Sequence, residues 1–260
     1  MYIKPYDELT IQDNFIFQKV MRNKRICKQT IERLLDIDIK DISYPEEEKS
    51  INVRLDSKSI RLDVYVNDDK GTVFNIEMQT TKDMDELVKR ARYYQGLIDI
   101  DNIEKGQNYS ALHDTYIIFI CTFGVFTGKR HKYTFRNLCI EDNEILLNDG
   151  TTKLFLSTKG ETDDVSKPLK IFLDYVDGKK PEDALVQEID NEVDTVKHCD
   201  EWRRDYMTLA LEMDKKWREG KAEGKIEAIR NAIKDGLTTL AAVKKSGRYT
   251  EEEIAAIAAP

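Results

Sequence analysis

Thiol and imidazole chemistry has little to work with in this 260-residue chain, which holds four cysteines (Cys27, Cys121, Cys139, Cys199) and three histidines (His113, His131, His198). No cysteine pair has CxxC spacing, so a zinc site lacks its local framework. The cysteines lie far apart behind no export signal, and reduced thiols are expected rather than disulfides. Nothing local singles out a Cys/His nucleophilic pair. The 12 glycines are scattered and form neither a phosphate-cradling loop nor a dinucleotide fingerprint. No run approaches the roughly 18 apolar residues of a membrane span, and the opening MYIKPYDELT lacks the apolar stretch of a signal peptide. The expectation is a soluble cytoplasmic protein with no membrane partner. Positive charge is short as well: 41 Lys and Arg face 49 Asp and Glu, a net charge of −8 and a pI near 5.2. That excludes a uniformly polybasic nucleic-acid coat.

What is present suffices for a real core. The chain is 40% hydrophobic and 35% charged, with 12 Tyr, 9 Phe and 2 Trp, a balance that excludes wholesale disorder. Residues 10–36 show helical spacing through Phe15, Ile16, Val20, Ile26, Ile31 and Leu34. The period changes to two in KSINVRL, SIRLDVYV and TVFNIEMQ, which predicts a meander of three strands between Lys49 and Gln79. A helix is predicted from Asp83 to about Lys105, then a buried central strand at YIIFICTF, residues 116–123. Further strands are expected at His131 to Ile140 and Thr152 to Ser157. The order implies an α/β protein with a mixed sheet flanked by helices and a C-terminal helical extension.

Three segments follow: a main domain over 1–187, a long helical extension over 188–235 and a short helical hairpin over 236–260. The long helix is predicted to begin near Glu188, because Val193, Val196, Cys199, Trp202, Tyr206, Leu209, Met213 and Trp217 recur every three or four residues. Such a helix suits a homo-oligomer contact. Gly220 and Gly224, each costing a helix interior about 1 kcal/mol relative to Ala, are expected either to loosen it or to admit a close neighbour. Thr250 to Glu253 has capping-box spacing.

The stretch from Ser59 to Gln79 carries the chemistry. Alternation sets Ile60, Leu62, Val64 and Val66 against Arg61, Asp63 and Tyr65, and in the next strand sets Phe74, Ile76 and Met78 against Asn75, Glu77 and Gln79. If the apolar faces share a core, only even register shifts survive, and Asp63 falls directly opposite Glu77 or diagonal to it. Either register lets both carboxylates reach one ion. Two carboxylates so close demand a raised pKa on one of them, a neighbouring cation or a divalent metal. Arg61, on the same face, could instead pair with Glu77. The supported chemistry is metal-assisted phosphodiester hydrolysis: hard oxygens suit Mg²⁺ or Mn²⁺, which would neutralise phosphate charge and lower the pKa of a bound water. Gln79, two residues along, could orient that water.

The order of Asp63, then Glu77-Met78-Gln79 closing a strand, then a helix bearing Arg90-Ala-Arg-Tyr-Tyr-Gln95 resembles the PD-(D/E)XK nuclease domain of the recombination-promoting nuclease (Rpn) and transposase family. Asp13-Asn-Phe-Ile-Phe-Gln-Lys-Val20 is similar to the family's N-terminal signature, and similarity continues through Asn108-Tyr109, Tyr133 to Cys139, Asp149-Gly150 and Glu201 to Met207. The resemblance spans roughly residues 5–225. It implies a restriction-endonuclease-like fold and a DNA endonuclease using divalent metal, Mg²⁺ foremost, with Mn²⁺ and Ca²⁺ as alternatives. By position, Asp63 and Glu77 would be metal ligands and catalytic residues, the Met78 carbonyl a further ligand, and Gln79 the residue standing where lysine is usual. Leu62 stands where the superfamily has proline. Arg92 and Tyr94 would contact the scissile phosphate, against a reading of Tyr94 as core and Arg92 as surface charge. Glu32 could supply a third acidic ligand, or lie on a solvated helix face.

A non-catalytic DNA-binding or assembly module that keeps the fold is the competing function. The charge distribution bears on both. Ser157 to Asp205 holds 14 acidic and 8 basic residues, whereas Lys215 to Arg248 holds 10 basic and 4 acidic. The tail is therefore a candidate phosphate-contacting arm in a chain that is acidic overall.

Overall fold

The structure is a computed structural model that describes residues 2–44, 50–51 and 60–259. Most of the first expected strand, KSINVRL, lies outside the described residues, as do the side chains of residues 50, 51, 60 and 61. The described chain forms two compact units, Asp7–Cys199 and residues 2–6 with 200–259.

The first unit opens with helices α1 (Asn14–Val20) and α2 (Lys24–Leu35). The side chain of Asn23 accepts from the Ile26 N–H and caps α2, satisfying one of the amides that a helix start leaves orphaned. Strands β1 (Ile42–Ser43), β2 (Ser50–Ile51), β3 (Ile60–Arg61), β4 (Val64–Asp68) and β5 (Val73–Gln79) follow, then helix α3 (Met84–Asn102), capped by Asp83. Strands β6 (Thr115–Cys121), β7 (Lys132–Phe135) and β8 (Thr151–Ser157) and helices α4 (Lys167–Val176) and α5 (Ala184–Lys197) complete the unit. The sheet has six strands in the order β1-β4-β5-β6-β8-β7. β5, β6 and β8 run parallel, while β4 and β7 pair antiparallel with the two ends of that trio. The described part of the first run does not join this sheet: β2 pairs only with β3 in a separate ladder.

Both faces of the sheet are covered, as the continuous apolar sequence of β6 requires. On one face α3 packs Leu87, Ala91, Tyr94, Leu97 and Ile98 against Ile117, Phe119, Cys121 and Phe155. On the other, alternation places Phe74, Ile76, Ile118, Ile120, Leu154 and Leu156, all buried, and α1 packs against β5 there. The face expected to be polar is therefore a second core. Leu62, which alternation groups with Val64, belongs to the α3-side cluster together with Tyr65; the chain bends at Asp63 before β4 begins, and strict alternation fails at the bend.

The long helix expected from Glu188 is two helices. α5 ends at Lys197 and packs in the first unit through Leu185, Val186, Ile189, Val193 and Val196, whereas α6 (Asp200–Lys234) starts after His198 and Cys199. The second unit consists of α6, α7 (Leu240–Lys245), α8 (Glu251–Ala258) and residues 2–6, which Tyr206 ties down by donating its hydroxyl to the Lys4 carbonyl at 2.6 Å. α8 opens with the expected Thr250/Glu253 capping box and packs back on α6, where Lys225 pairs with Glu253 at 3.0 Å. Gly220 and Gly224 do not loosen the helix. α6 runs unbroken through both, and a Cβ at either would meet open space.

Candidate functional site

The site forms where β5 ends. The ladder pairs Val64 with Ile76 and Tyr65 with Asn75, the register of the first of the two alternatives, and Asp63, in the bend just before β4, is held beside Glu77 by hydrogen bonds. The pair is laced to the backbone reciprocally. The Asp63 N–H donates to Glu77 Oε1 at 3.2 Å, and the Met78 N–H donates to Asp63 Oδ2 at 3.1 Å.

Each carboxylate then takes side-chain donors from a different helix. Asp63 Oδ1 accepts from Gln18 Nε2 at 2.8 Å and, at the limit of hydrogen-bond range, from Asn14 Nδ2 at 3.5 Å. Asn14 and Gln18 are four residues apart on α1 and so share a face. Glu77 Oε2 pairs with Arg90 Nη2 at 3.4 Å. Asn75, with its amide nitrogen turned toward the acceptors, donates to the Val64 carbonyl and to Glu77 Oε1, both at 3.2 Å. Arg90 is the hub of the α3 side. It donates to Gln79 Oε1 at 2.9 Å and to the Tyr94 hydroxyl at 3.0 Å, and its guanidinium lies over the rings of Tyr94 and Phe119.

Glu77 is only 3% exposed. Burial, and after it the neighbouring Asp63, hold its carboxyl well above the ordinary glutamate range; the Asp63 N–H, Arg90 and Asn75 pull the other way and are outweighed. Of the three compensations open to a close carboxylate pair, two are thus in place: a raised pKa and an adjacent cation. That cation is Arg90; the side chain of Arg61 lies outside the described residues. Burial, with Glu77 second, also pushes the Tyr94 phenol up.

The remaining sequence candidates fall as follows. Gln79 is at the site with its amide engaged at both ends, the oxygen by Arg90 and the nitrogen by the Thr81 carbonyl at 2.9 Å. The Tyr94 ring is part of the α3-side core and stacks near Phe119, while its hydroxyl reaches Arg90. Arg92 is exposed and two residues past Arg90, a spacing that turns it away from Arg90's face. Glu32 is occupied elsewhere, accepting from Lys28 Nζ at 2.6 Å and from the Ile39 N–H at 2.9 Å. Asn14, Gln18, Asn75 and Arg90 received no role from the sequence. Asn14, Gln18 and Arg90 lie within the quoted family-like segments, and the i, i+4 spacing of Asn14 and Gln18 is the signal that marks a shared polar face.

The donor set fits a small hard cation. Two carboxylates meet beside a strand end, and no cluster of three or more His, Cys, Asp or Glu ligands exists among the described residues. The hard oxygens of the two carboxylates suit a divalent cation that completes its shell with waters and oxygens of a substrate phosphate. No helix among the described residues is long and apolar enough to cross a membrane, and the four cysteines are free thiols.

A mixed six-stranded sheet flanked by helices, with paired carboxylates at the edge of a β-hairpin, defines a restriction-endonuclease-like α/β protein. Residues 14–157, from the start of α1 to the last residue of β8, match the model of the PD-(D/E)XK nuclease family transposase, and the chain belongs to that family. No curated protein and no solved structure matches it.

Proposed function

We propose that the chain is a divalent-metal-dependent DNA endonuclease that hydrolyses phosphodiester bonds, of the recombination-promoting or transposase-associated kind. The observation that carries this reading is a reciprocal pair of hydrogen bonds at the end of a buried central strand: the Asp63 N–H donates to Glu77 Oε1 and the Met78 N–H donates to Asp63 Oδ2. Nucleases of the PD-(D/E)XK kind generally use divalent metals. Asp63 and Glu77 would hold the ion, with the Met78 carbonyl as a further ligand and Mg²⁺ or Mn²⁺ as the fitting ions. When bound, it supplies charge neutralisation at the phosphate and a nucleophile competent at neutral pH.

The chain's own residues do the rest. Gln18 and Asn14 fix the rotamer of Asp63, and the Met78 N–H fixes its second oxygen. Arg90 orients Gln79 and places positive charge where a phosphate would arrive, with the Tyr94 hydroxyl holding the guanidinium plane. Arg92, on the exposed side of α3, and the basic stretch from Lys215 to Arg248 are candidates for contacting DNA backbone. The exposed apolar residues of α6, Met207, Leu211, Met213 and Trp217, support self-association through the C-terminal helices.

The test is cleavage of plasmid DNA with Mg²⁺ or Mn²⁺. Wild-type protein is expected to nick or cut it, whereas Asp63→Ala and Glu77→Ala are expected to lose at least about a hundredfold in rate while keeping the native circular dichroism spectrum. An Asp63→Ala protein that cuts like wild type refutes the site. Salt-sensitive DNA binding without turnover in any divalent metal would instead establish a non-catalytic binding or assembly module.

A further inference from the structure

The face of the sheet that carries Glu77 continues past α3. Register aligns Glu77 of β5, Phe119 of β6, Phe155 of β8 and Tyr133 of β7 as one row across four strands. Residues paired directly across strands share a face, so one carboxylate and three aromatic rings form a line. Phe119 and Phe155 stack at a centroid separation of 5.4 Å and an interplanar angle of 15°. Beyond them the row opens. Phe126, in the connection between β6 and β7, meets Phe155 edge-on at 5.4 Å and packs against Tyr133 at 5.0 Å and Phe135 at 5.1 Å. Phe155 is 2% exposed, but Phe126 and Phe135 are 39% and 43% exposed.

Three observations separate this cluster from an ordinary lid over Phe155. Phe126 adopts φ +52°, in the left-handed region that a bulky residue enters at a cost. Burial does not recover that cost for a ring left two-fifths exposed. The stretch from Cys121 to Ile140 contains four Lys and Arg and no acid. Lys132 and Arg136 are engaged with the Leu34 carbonyl and Thr152, but Lys129 and Arg130 keep side chains 67% and 60% exposed, in surface pairs with Glu161 at 2.6 Å and Asp164 at 3.9 Å. The Lys129 pair is exposed on both sides and contributes little, and Arg130 lies at the long end of ion-pair range from an Asp164 side chain only 9% exposed, so both cations present charge to solvent. The third observation is distance. Three strand spacings, roughly 14 Å, separate Glu77 from Tyr133, a reach of a few nucleotides along one strand.

We propose that Phe126 and Phe135, margined by Lys129 and Arg130, form a stacking platform for unpaired bases. The preferred substrate is then DNA with a single-stranded or frayed segment beside the scissile phosphate. Inside a continuous duplex each base face is covered by its neighbours, so only an unpaired base presents a face to these rings. The inference rests on the nuclease reading for its biological sense, but its test does not.

Binding of a fluorescein-labelled 20-nucleotide single strand and of its duplex is measured by anisotropy in EDTA, where metal-dependent turnover is silent. Phe126→Leu and Phe135→Leu keep the apolar cover over Phe155 and remove the flat ring, and thermal melting verifies their fold. Wild type is expected to bind the single strand more tightly than the duplex. Each leucine variant should weaken single-strand binding by at least about fivefold, since stacking on an aromatic ring contributes roughly 1 to 3 kcal/mol per base. Duplex binding should move less than twofold, and Phe126→Trp should restore the single-strand affinity. Leucine variants that bind single strands like wild type, equal losses on both DNAs, or a wild type that prefers duplex would each overturn the platform. Loss of the platform with plasmid cleavage intact leaves the nuclease reading standing. Selective single-strand binding without cleavage removes the nuclease reading and keeps the platform.

Discussion

Glu77 is the residue on which the account turns, because burial and Asp63 both oppose its ionisation. Its folded carboxyl gives up its proton at a higher pH than the unfolded chain does. The stability from this source is fully present below the ordinary glutamate range, near pH 4.3, and is lost as pH rises through the higher folded value. Glu77→Gln removes the ionisation while leaving an acceptor for the Asp63 N–H. The metal-free variant should therefore be more stable than wild type at pH 8, with the advantage shrinking toward pH 5. Urea denaturation at the two pH values checks this, and a pH-independent difference contradicts it. The carboxylates were legible in the sequence because the β4–β5 pairing brings both to one end of the hairpin, even though alternation itself fails at the Asp63 bend. Their partners were less so: Gln18 and Arg90 approach from different helices, and the angle at which a helix crosses a sheet leaves no period in the sequence.

At the scale of elements, the strands were easier to locate than the ends of helices. The YIIFICTF run is of the kind a buried central strand shows, and the parity of two apolar faces reduced the β4–β5 register to two choices, of which the ladder took the direct one. The break between α5 and α6 was hidden because Val193, Val196, Cys199 and Trp202 keep helical spacing straight across it; the interruption lies in the backbone at His198 and Cys199, not in the apolar pattern. The polar face of the hairpin proved to be core for a related reason. A neighbouring helix can bury Asn75 and Glu77 once each has a partner, and partners do not show in alternation. Gly220 and Gly224 give this scale its prediction. Both sit within a continuous helix with open space around the missing Cβ. Gly220→Ala and Gly224→Ala should each stabilise α6 by about 1 kcal/mol, raising the helical signal and the melting point of the second unit. Destabilisation by either would mean that a neighbour occupies that face.

Over the whole molecule, the acidic balance and the proposed DNA substrate are reconciled by position. The family match ends at Ser157, the acid-rich stretch follows it, and the basic residues concentrate from Lys215 to Arg248. The unit boundary after Cys199 also decides where the chain can be cut. Ending it near Gln187 would truncate α5 and remove Ile189, Val193 and Val196 from the core, whereas ending it at Cys199 leaves α5 whole. Light scattering is expected to show the full chain as an oligomer and the chain ending at Cys199 as a monomer. Equal oligomeric states would remove the C-terminal helices from that role.

Asp63 and Glu77 together are proposed to hold the ion that cleaves DNA. Crystals soaked in Mn²⁺ and measured at the manganese absorption edge address this directly. The account predicts an anomalous peak in contact with both carboxylates, absent from Asp63→Ala crystals treated in the same way. A peak on only one of the two, or none at the end of β5 in protein that cleaves DNA with Mn²⁺, would contradict it.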